Sequence, residues 1–238
     1  MIATIHQPEH LPWLGFFHKM HEAETFIALD NVQYRRHYFQ NRNRIRTREG
    51  EAWITVPVRF SLNGKTLIRD VFIDPTNKNW NKKNLDTLRL HYAKAPHFDA
   101  YWESFAETYS QPHERLADFN LALIRLLMAG LGIHRPLRLA SELGVSGGKS
   151  ELLLGLCKAV GATQYHSGVS GRDYLDTQAF ATAGIRITYQ EFHHPIYTQL
   201  HAPFLPCMSA LDLLFNYGPG SLDVLLGRGV PVMEDVFL

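Results

Sequence analysis

Residues 1–30 read MIATIHQPEHLPWLGFFHKMHEAETFIALD and predict a β–α–β unit. The apolar run over residues 1–5 is typical of a buried strand, and residues 25–29 predict a second one. Between them, two prolines favour extended backbone at the residues before them, and a helical pattern follows over 13–22. A helix that joins two strands favours a parallel pair, so this opening indicates an α/β fold.

The rest of the chain extends this pattern. Residues 34–75 predict an antiparallel excursion with a hairpin turn at Asn63-Gly64, and residues 80–132 predict a helical middle segment. Strands over 163–167 and 185–189 close the chain with a second parallel pair. Further helices are predicted over 150–160, 176–183 and 209–217. The expected fold is a mostly parallel sheet flanked by helices, with an antiparallel hairpin insertion. No linker rich in Pro, Gly or Ser interrupts it, so we expect residues 1–238 to form a single α/β domain.

Composition excludes several classes of protein. The 238 residues are 45% hydrophobic and 20% charged, which is ordinary for a folded protein. No apolar run approaches the ~18 residues of a membrane span, and the N-terminus does not resemble a secretory signal. Two cysteines, Cys157 and Cys207, cannot form a disulfide framework. We therefore expect a cytoplasmic protein without a membrane span.

The loop after the first strand carries the first candidate site. His6 and Gln7 lie where that strand ends, and Asp30 ends the second strand. Ligands of parallel α/β sheets bind at the carboxyl ends of strands. His6 is a candidate general acid or base, and Asp30 is a candidate partner that orients His6 or binds a sugar hydroxyl. Gln7 and Trp13 are candidate substrate-binding residues, although the prolines and Trp13 also suit a turn that covers the core.

A second candidate segment follows the second predicted strand, so we expect it at the same sheet edge as His6, in the only strongly basic part of a chain with a net charge of +1. Six arginines and no acidic residue lie between Asp30 and Glu49. Arg42 and Arg44 would share one face of an extended backbone and form a clamp for phosphate or carboxylate. The candidate substrate-binding residues here are Gln33, Tyr38, Gln40, Asn41, Arg42 and Arg44. A solvated basic loop and an RNA-binding patch are the alternatives, and the near-neutral net charge argues against nucleic acid.

Three further motifs are weaker. Ser167 and Gly168 end a predicted strand and allow close approach of a ligand, so they join the substrate-binding candidates. Gly147-Gly148-Lys149-Ser150 lacks the spacing of a phosphate-binding loop. The group His193, His194, His201 and Cys207 matches no zinc spacing, and we predict no metal site.

Together these residues resemble the WbqC-like family. The resemblance rests on the His-Gln-Pro-x-x-Leu-Pro-Trp-Leu-Gly-Phe-Phe run, followed by Leu-Asp-Asn-Val-Gln-Tyr, Phe-Gln-Asn-Arg-Asn-Arg-Ile, Trp-Ile-Thr-Val-Pro-Val, Tyr-His-Ser-Gly, Tyr-Leu-Asp and Ser-Ala-Leu-Asp-Leu-Leu-Phe-Asn-Tyr-Gly. The motifs run in one order from residue 5 to residue 218. His10 departs from the aromatic residue usual in the family. The resemblance implies a role in bacterial surface-polysaccharide (O-antigen) biosynthesis, and it supplies no established catalytic residue.

The leading hypothesis is an enzyme that transfers an acyl or aminoacyl group to an amino sugar or sugar nucleotide. One alternative is an ATP-dependent nucleotidyltransferase or ligase at the same strand ends, with His6 and His10 as a phosphate-stabilising pair. Another is a non-catalytic binding or scaffold protein. The cofactor stays open between a nucleotide and an acyl donor, with magnesium if ATP is used. The expected partner is a small molecule bearing phosphate or carboxylate, and a homo-oligomer is compatible with the sequence.

Overall fold

A computed structural model describes residues 1–61 and 65–233. The chain forms two compact units, each assembled from separate segments. Unit 1 comprises Met1–Gln7, Gly15–Asn31 and His134–Phe192, and unit 2 comprises Pro8–Leu14, Val32–Ile133 and His193–Leu238. The hairpin turn predicted at Asn63-Gly64 lies outside the described residues.

The strands are β1 (Ile2–His6), β2 (Thr25–Ala28), β3 (Arg42–Thr47), β4 (Gly50–Thr55), β5 (Val58–Arg59), β6 (Phe72–Ile73), β7 (Leu137–Leu139), β8 (Gln164–Ser167), β9 (Arg186–Tyr189), β10 (His194–Pro195) and β11 (Val232–Met233). The helices are α1 (Leu14–His21), α2 (Trp80–Tyr92), α3 (Phe98–Ser110), α4 (Leu116–Gly130), α5 (Lys149–Ala159), α6 (Thr177–Thr182), α7 (Ala210–Tyr217) and α8 (Ser221–Leu225).

Unit 1 contains a five-stranded sheet in the order β7-β2-β1-β8-β9. Every pairing in it is parallel, which confirms the predicted α/β class and the opening β–α–β unit. The chain adds β2 and then β7 on one side of β1, and afterwards adds β8 and β9 on the other. The order therefore reverses between β1 and β8, and ligands of open α/β sheets bind at the carboxyl ends of strands beside such a reversal.

The sheet is held by apolar burial on α1 and the central strands. All four residues of β2 are buried, as are the three middle residues of β1. Phe16 of α1 is 1% exposed, and its ring centroid lies 5.2 Å from that of Phe26 in β2. The edge strand β7 was not predicted, because its three residues, Leu-Arg-Leu, are too short to show a period.

Unit 2 contains the antiparallel excursion and most of the helices. β3 pairs with β4 from Arg42 opposite Thr55 to Thr47 opposite Gly50, and β5 pairs with β6. The predicted antiparallel character of 34–75 is therefore confirmed. The helices α2, α3, α4 and α7 lie where their apolar spacing predicted them, and Ser209 caps α7 by accepting a hydrogen bond from the backbone nitrogen of Leu211 at 3.3 Å.

A buried polar network fixes the core of unit 2. The carboxylate of Asp212, which is 0% exposed, accepts hydrogen bonds from Tyr92 at 3.0 Å, Tyr197 at 2.8 Å and Gln199 at 3.0 Å. Tyr92 Oη in turn accepts a hydrogen bond from the backbone nitrogen of Arg46 at 2.9 Å. Four hydrogen bonds thus join five residues and satisfy the buried polar groups together, which is the condition under which such groups are tolerated.

Within residues 1–61 and 65–233, no helix combines the length and the apolar character that a crossing of the bilayer requires.

Two glycines of unit 2 allow a test of backbone constraint. Gly132 follows the end of α4 and has φ +71° in nearly open space, whereas a Cβ on Gly218 (φ +51°) would lie 2.5 Å from the His97 ring. We expect Gly132→Ala to lower the free energy of unfolding by about 1 kcal/mol through φ alone, and Gly218→Ala by about 3 kcal/mol or more because a steric clash is added. Urea unfolding of both variants measures the difference, and equal losses would contradict the packing around His97.

Candidate functional site

Five residues of unit 1 form what we call the strand-end cluster: His6, Gln7, Lys19, Ser167 and Gly168. His6 ends β1 and Ser167 ends β8, and these strands are neighbours with Thr4 opposite His166. The sequence named both pairs as candidates but did not group them, and the pairing of β1 with β8 places them at the carboxyl ends of neighbouring strands. The cluster occupies the reversal of strand order, where parallel sheets bind ligands.

The His6 imidazole is held in one orientation. Its ring packs edge-on against Phe16 with centroids 5.0 Å apart, and Nδ1 lies 3.1 Å from the carbonyl oxygen of Gln7. Because a carbonyl only accepts, Nδ1 carries the proton and Nε2 carries the lone pair. Burial, together with the positive charge of Lys19, lowers the pKa of His6 to about 3. The ring is therefore neutral at pH 7.

Lys19 is a further member of the strand-end cluster, and the sequence did not reveal it. It lies in α1 and is only 4% exposed, which is rare for lysine. Its Nζ donates to the carbonyl oxygen of Ile5 at 3.2 Å, and a Cβ placed on Gly168 would lie 3.8 Å from the same atom. Helical side chains lean toward the helix N-terminus, so this lysine reaches back to the strand ends. It brings a cation to the cluster.

The side chains of Ser167 and Asp30 both form hydrogen bonds within unit 1. Ser167 is 1% exposed, and its Oγ donates to the carbonyl oxygen of Gly168 at 3.1 Å. Asp30 accepts hydrogen bonds from Ser141, at 2.9 Å from the backbone nitrogen and 2.6 Å from Oγ. Its carboxylate thereby fixes the turn that follows β7. The predicted role of Asp30 in orienting His6 stays a prediction.

A chain of polar side chains ties α1 to β8 and β9. Glu22 Oε2 lies 2.9 Å from His166 Nε2 and 3.1 Å from His18 Nδ1. Burial raises the pKa of Glu22, but the hydrogen bonds from His166 and His18 outweigh it and lower the pKa to about 2. Gln190 completes the chain by donating to the carbonyl oxygen of Gly15 at 2.8 Å. These bonds fix the helix that carries Lys19.

In unit 2, Arg42 and Arg44 share one face of β3, as predicted. Both guanidinium groups lie over the ring of Trp53, at 4.3 Å and 5.9 Å from its centroid, and we call these three residues the arginine–tryptophan stack. Arg42 also donates to the carbonyl oxygen of His37 at 2.7 Å, and Arg44 pairs with Glu51 at 3.1 Å. Trp53 is 43% exposed, so the stack faces solvent.

The other candidates of unit 2 divide into buried and exposed groups. Gln40 accepts from the backbone nitrogen of Arg35 at 2.9 Å, and Asn41 accepts from Tyr34 Oη at 3.0 Å, so both shape the loop. Trp13 stacks on His194 with centroids 6.5 Å apart, which matches the core-covering alternative. Tyr38 and Gln33 are exposed.

Arg35 and Arg36 are further residues that the sequence did not single out. They line a cavity of about 680 Å³ together with Gln33, Tyr34 and Phe60, and we call this set the arginine cavity. Both arginines stand in the acid-free interval, so their presence was visible in the sequence. Their position on a cavity wall was not, because it depends on the pairing of residues 32–34 with 66–68.

Two histidines of unit 2 have structural partners. His10 is 0% exposed, with Nδ1 3.1 Å from Asn120 Oδ1 and Nε2 3.1 Å from Tyr109 Oη. A ring bonded on both nitrogens and closed to solvent cannot stabilise a phosphate, which removes the second member of the His6–His10 pair. His194 Nε2 accepts from the backbone nitrogen of Cys207 at 3.1 Å. In the described part of the chain, no three His, Cys, Asp or Glu side chains are grouped to hold a metal ion.

The chain is similar in sequence to one protein family and to a known protein. The model of the WbqC-like protein family matches residues 7–224. An uncharacterized protein of Mycobacterium tuberculosis, Rv1507c, is 36% identical over 225 residues, which cover 94% of this chain and 96% of that protein. No solved structure matches the chain with statistical significance. The matched residues include parts of both units.

The burial of His10 predicts acid sensitivity. Burial lowers the pKa of His10 to about 4, although its hydrogen bond with Asn120 opposes the shift. Between pH 6.5 and 4 the unfolded chain binds a proton that the folded chain does not, so stability falls as the pH is lowered through this range. From pH 7 to pH 5 the loss attributable to His10 is about 2 kcal/mol.

Urea unfolding at both pH values, for the wild type and His10→Gln, measures this loss. The variant is expected to be less stable at pH 7 but to show a shallower decline toward pH 5. Parallel declines would exclude His10 as the source.

Proposed function

We propose that this chain, which belongs to the WbqC-like protein family, transfers an acyl or aminoacyl group to an amino sugar or sugar nucleotide in bacterial surface-polysaccharide biosynthesis. The strand-end cluster is the proposed catalytic site, and a cytoplasmic site of action is part of the proposal. The observation that carries it is the neutral imidazole of His6 beside the buried ammonium of Lys19 at the reversal of strand order.

Lys19 supports binding of an anionic group. An ammonium is a compact point charge that suits phosphate and carboxylate, and its effect is strongest where protein has replaced water. Its Nζ stands beside the backbone of Ile5 and Gly168, where glycine leaves room for close approach. We therefore assign Lys19 to the phosphate or carboxylate of the substrate.

His6 supports proton transfer from the attacking amine. In acyl transfer the amine nitrogen forms a bond to the carbonyl carbon, loses a proton and expels the leaving group. His6 would accept that proton at Nε2 and return it to the departing atom, which balances the reaction. Burial is the larger cause of the lowered pKa of His6 and the charge of Lys19 is the smaller one. An anion bound beside Lys19 would offset the second cause and raise the pKa of the imidazole in part.

The strand order gives some support to a second candidate, nucleotidyl transfer or ATP-dependent ligation. Numbered within the sheet, the strands run 3-2-1-4-5, the arrangement of nucleotide-binding α/β sheets. Lys19 suits a phosphate in this reaction as well. ATP with magnesium would be its ligand, whereas acyl transfer predicts binding of an acyl donor.

The test of the proposal combines ligand binding and turnover. Thermal shifts are measured with acyl-coenzyme A compounds, amino acids, nucleotide-linked amino sugars and ATP, each with and without magnesium, because stabilisation follows occupancy. We expect Lys19→Met to abolish the shift from the true anionic donor. We expect His6→Gln to retain it but to lower kcat by about 100-fold or more. Lys158→Met, an exposed lysine of α5, is the matched control.

Three results would count against this assignment. Full turnover in His6→Gln would exclude His6 as the base. An unchanged shift in Lys19→Met would remove the anion contact. A shift from ATP with magnesium alone would select the nucleotidyl reaction instead.

We also propose Arg42 and Arg44 as substrate-binding residues through the arginine–tryptophan stack. An exposed cation–π contact contributes about 0.5–1 kcal/mol, so Arg42→Ala should lower Tm by only a few degrees. The same variant should raise KM by about tenfold if its guanidinium binds substrate. Arg125→Ala, an exposed arginine of α4, is the control, and unchanged kinetics in Arg42→Ala would limit the stack to a structural role.

A further inference from the structure

We infer that the arginine cavity of unit 2 is a separate binding site for a nucleoside diphosphate. This site goes beyond the proposed catalytic role, because none of its residues belongs to the strand-end cluster. Its volume of about 680 Å³ lies within the range of small-molecule sites in proteins.

The backbone of the cavity is fixed before any ligand arrives. The Tyr34 backbone nitrogen donates to the carbonyl oxygen of Thr66 at 2.9 Å, and that of Ile68 donates to the carbonyl oxygen of Val32 at 2.9 Å. Gln40, which is 0% exposed, accepts from the backbone nitrogen of Arg35 at 2.9 Å. A wall anchored at both ends presents its arginines with little ordering cost, which favours binding.

Arg35 and Arg36 are consecutive in sequence, both line the cavity, and they provide its positive charge. Arg35 lies over the Tyr38 ring at 5.0 Å and Arg36 over the Phe60 ring at 5.8 Å from the ring centroids. Aromatic stacking uses the guanidinium face and leaves its N–H edge for a ligand, and this edge matches phosphate geometry. Among the described residues, neither arginine forms an ion pair with a carboxylate. Two arginines that line one cavity suit a ligand that carries two linked phosphates.

The other walls suit a nucleoside. Phe60 and Tyr34 form an aromatic corner with centroids 4.9 Å apart, and an aromatic base packs well against such a surface. Gln33 supplies an exposed amide that can donate to or accept from a base or ribose. An aromatic wall next to two arginines therefore fits a ligand with both a ring and a diphosphate.

A neighbouring cavity extends the positive surface. It is about 620 Å³ in volume, shares Phe60 with the arginine cavity, and carries Arg59 and Lys65 against the single acid Asp70. A substituent on the second phosphate would enter a cationic surrounding there. The net charge of +1 favours a discrete nucleotide over RNA, which would require a broader basic surface.

The experiment measures binding of UDP and ADP to the full chain by calorimetry, with UMP, uridine and inorganic pyrophosphate as partial ligands. We expect the nucleoside diphosphates to bind tighter than the monophosphate, and uridine to bind weakest. The double variant Arg35→Ala/Arg36→Ala should weaken UDP binding by about 100-fold. Arg89→Ala is the matched control, since Arg89 also stacks on an aromatic ring, Trp102, at 5.0 Å and is exposed.

Each outcome decides the inference. Equal affinity for UDP in the wild type and the double variant would overturn it, and so would absence of UDP and ADP binding. Tighter binding of a single-stranded oligonucleotide than of UDP would assign the surface to RNA. Lys19→Met distinguishes the two sites, because it should leave UDP affinity at this cavity unchanged. Absence of UDP binding at the arginine cavity would not contradict the proposed catalytic role of His6. Full turnover in His6→Gln would not contradict nucleoside diphosphate binding at the cavity.

Discussion

The structure of unit 1 depends on β1 pairing in parallel on both of its sides. The backbone of such a strand is paired on both edges and the middle side chains of β1 are buried, so a polar side chain within it needs a hydrogen-bond partner. Thr4 is such a residue, because its hydroxyl is buried and donates to the carbonyl oxygen of His166 at 2.8 Å. His6 and Gln7 lie where the strand pairing of β1 ends, so this constraint does not apply to them. The same position lies beside the reversal of strand order, where ligands of open α/β sheets bind.

The acid-free basic interval shows how context divides one sequence feature into several roles. Arg46 is 2% exposed and its guanidinium donates to the carbonyl oxygens of Thr47, Gly50 and Pro203, so it serves the core. Arg42 and Arg44 lie on an exposed tryptophan. Arg35 and Arg36 line a cavity. Arg42, Arg44 and Arg46 occupy alternate positions along β3, so the sequence pattern does not distinguish them. The sequence alone therefore could not assign their different roles.

The sequence predicted the elements whose signals are local. Helices α2, α3, α4 and α7 have regular apolar spacing, and β1, α1 and β2 have a proline-marked boundary, so these were confirmed within a few residues. The edge strand β7, the burial of Lys19 and the enclosure of His10 were missed. Each depends on partners more than 10 residues away, and a lysine in the segment GFFHKM reads equally well as a residue on a solvated helix face.

The protonation of His6 also separates the two candidate chemistries. With Nδ1–H committed to the carbonyl of Gln7, the imidazole has no second proton to donate at pH 7 until it has accepted one. Transfer to an amine delivers that proton at the first step and allows its return to the leaving group. Displacement at a phosphate without a proton-bearing nucleophile requires a donor or a positive charge from the outset. In that reaction Lys19 of unit 1 would supply the positive charge. His6 would then have no proton to transfer, and its fixed orientation at the strand end would not contribute to catalysis. Within the proposed function, a neutral and oriented His6 suits an acceptor that brings its own proton, as an amine does.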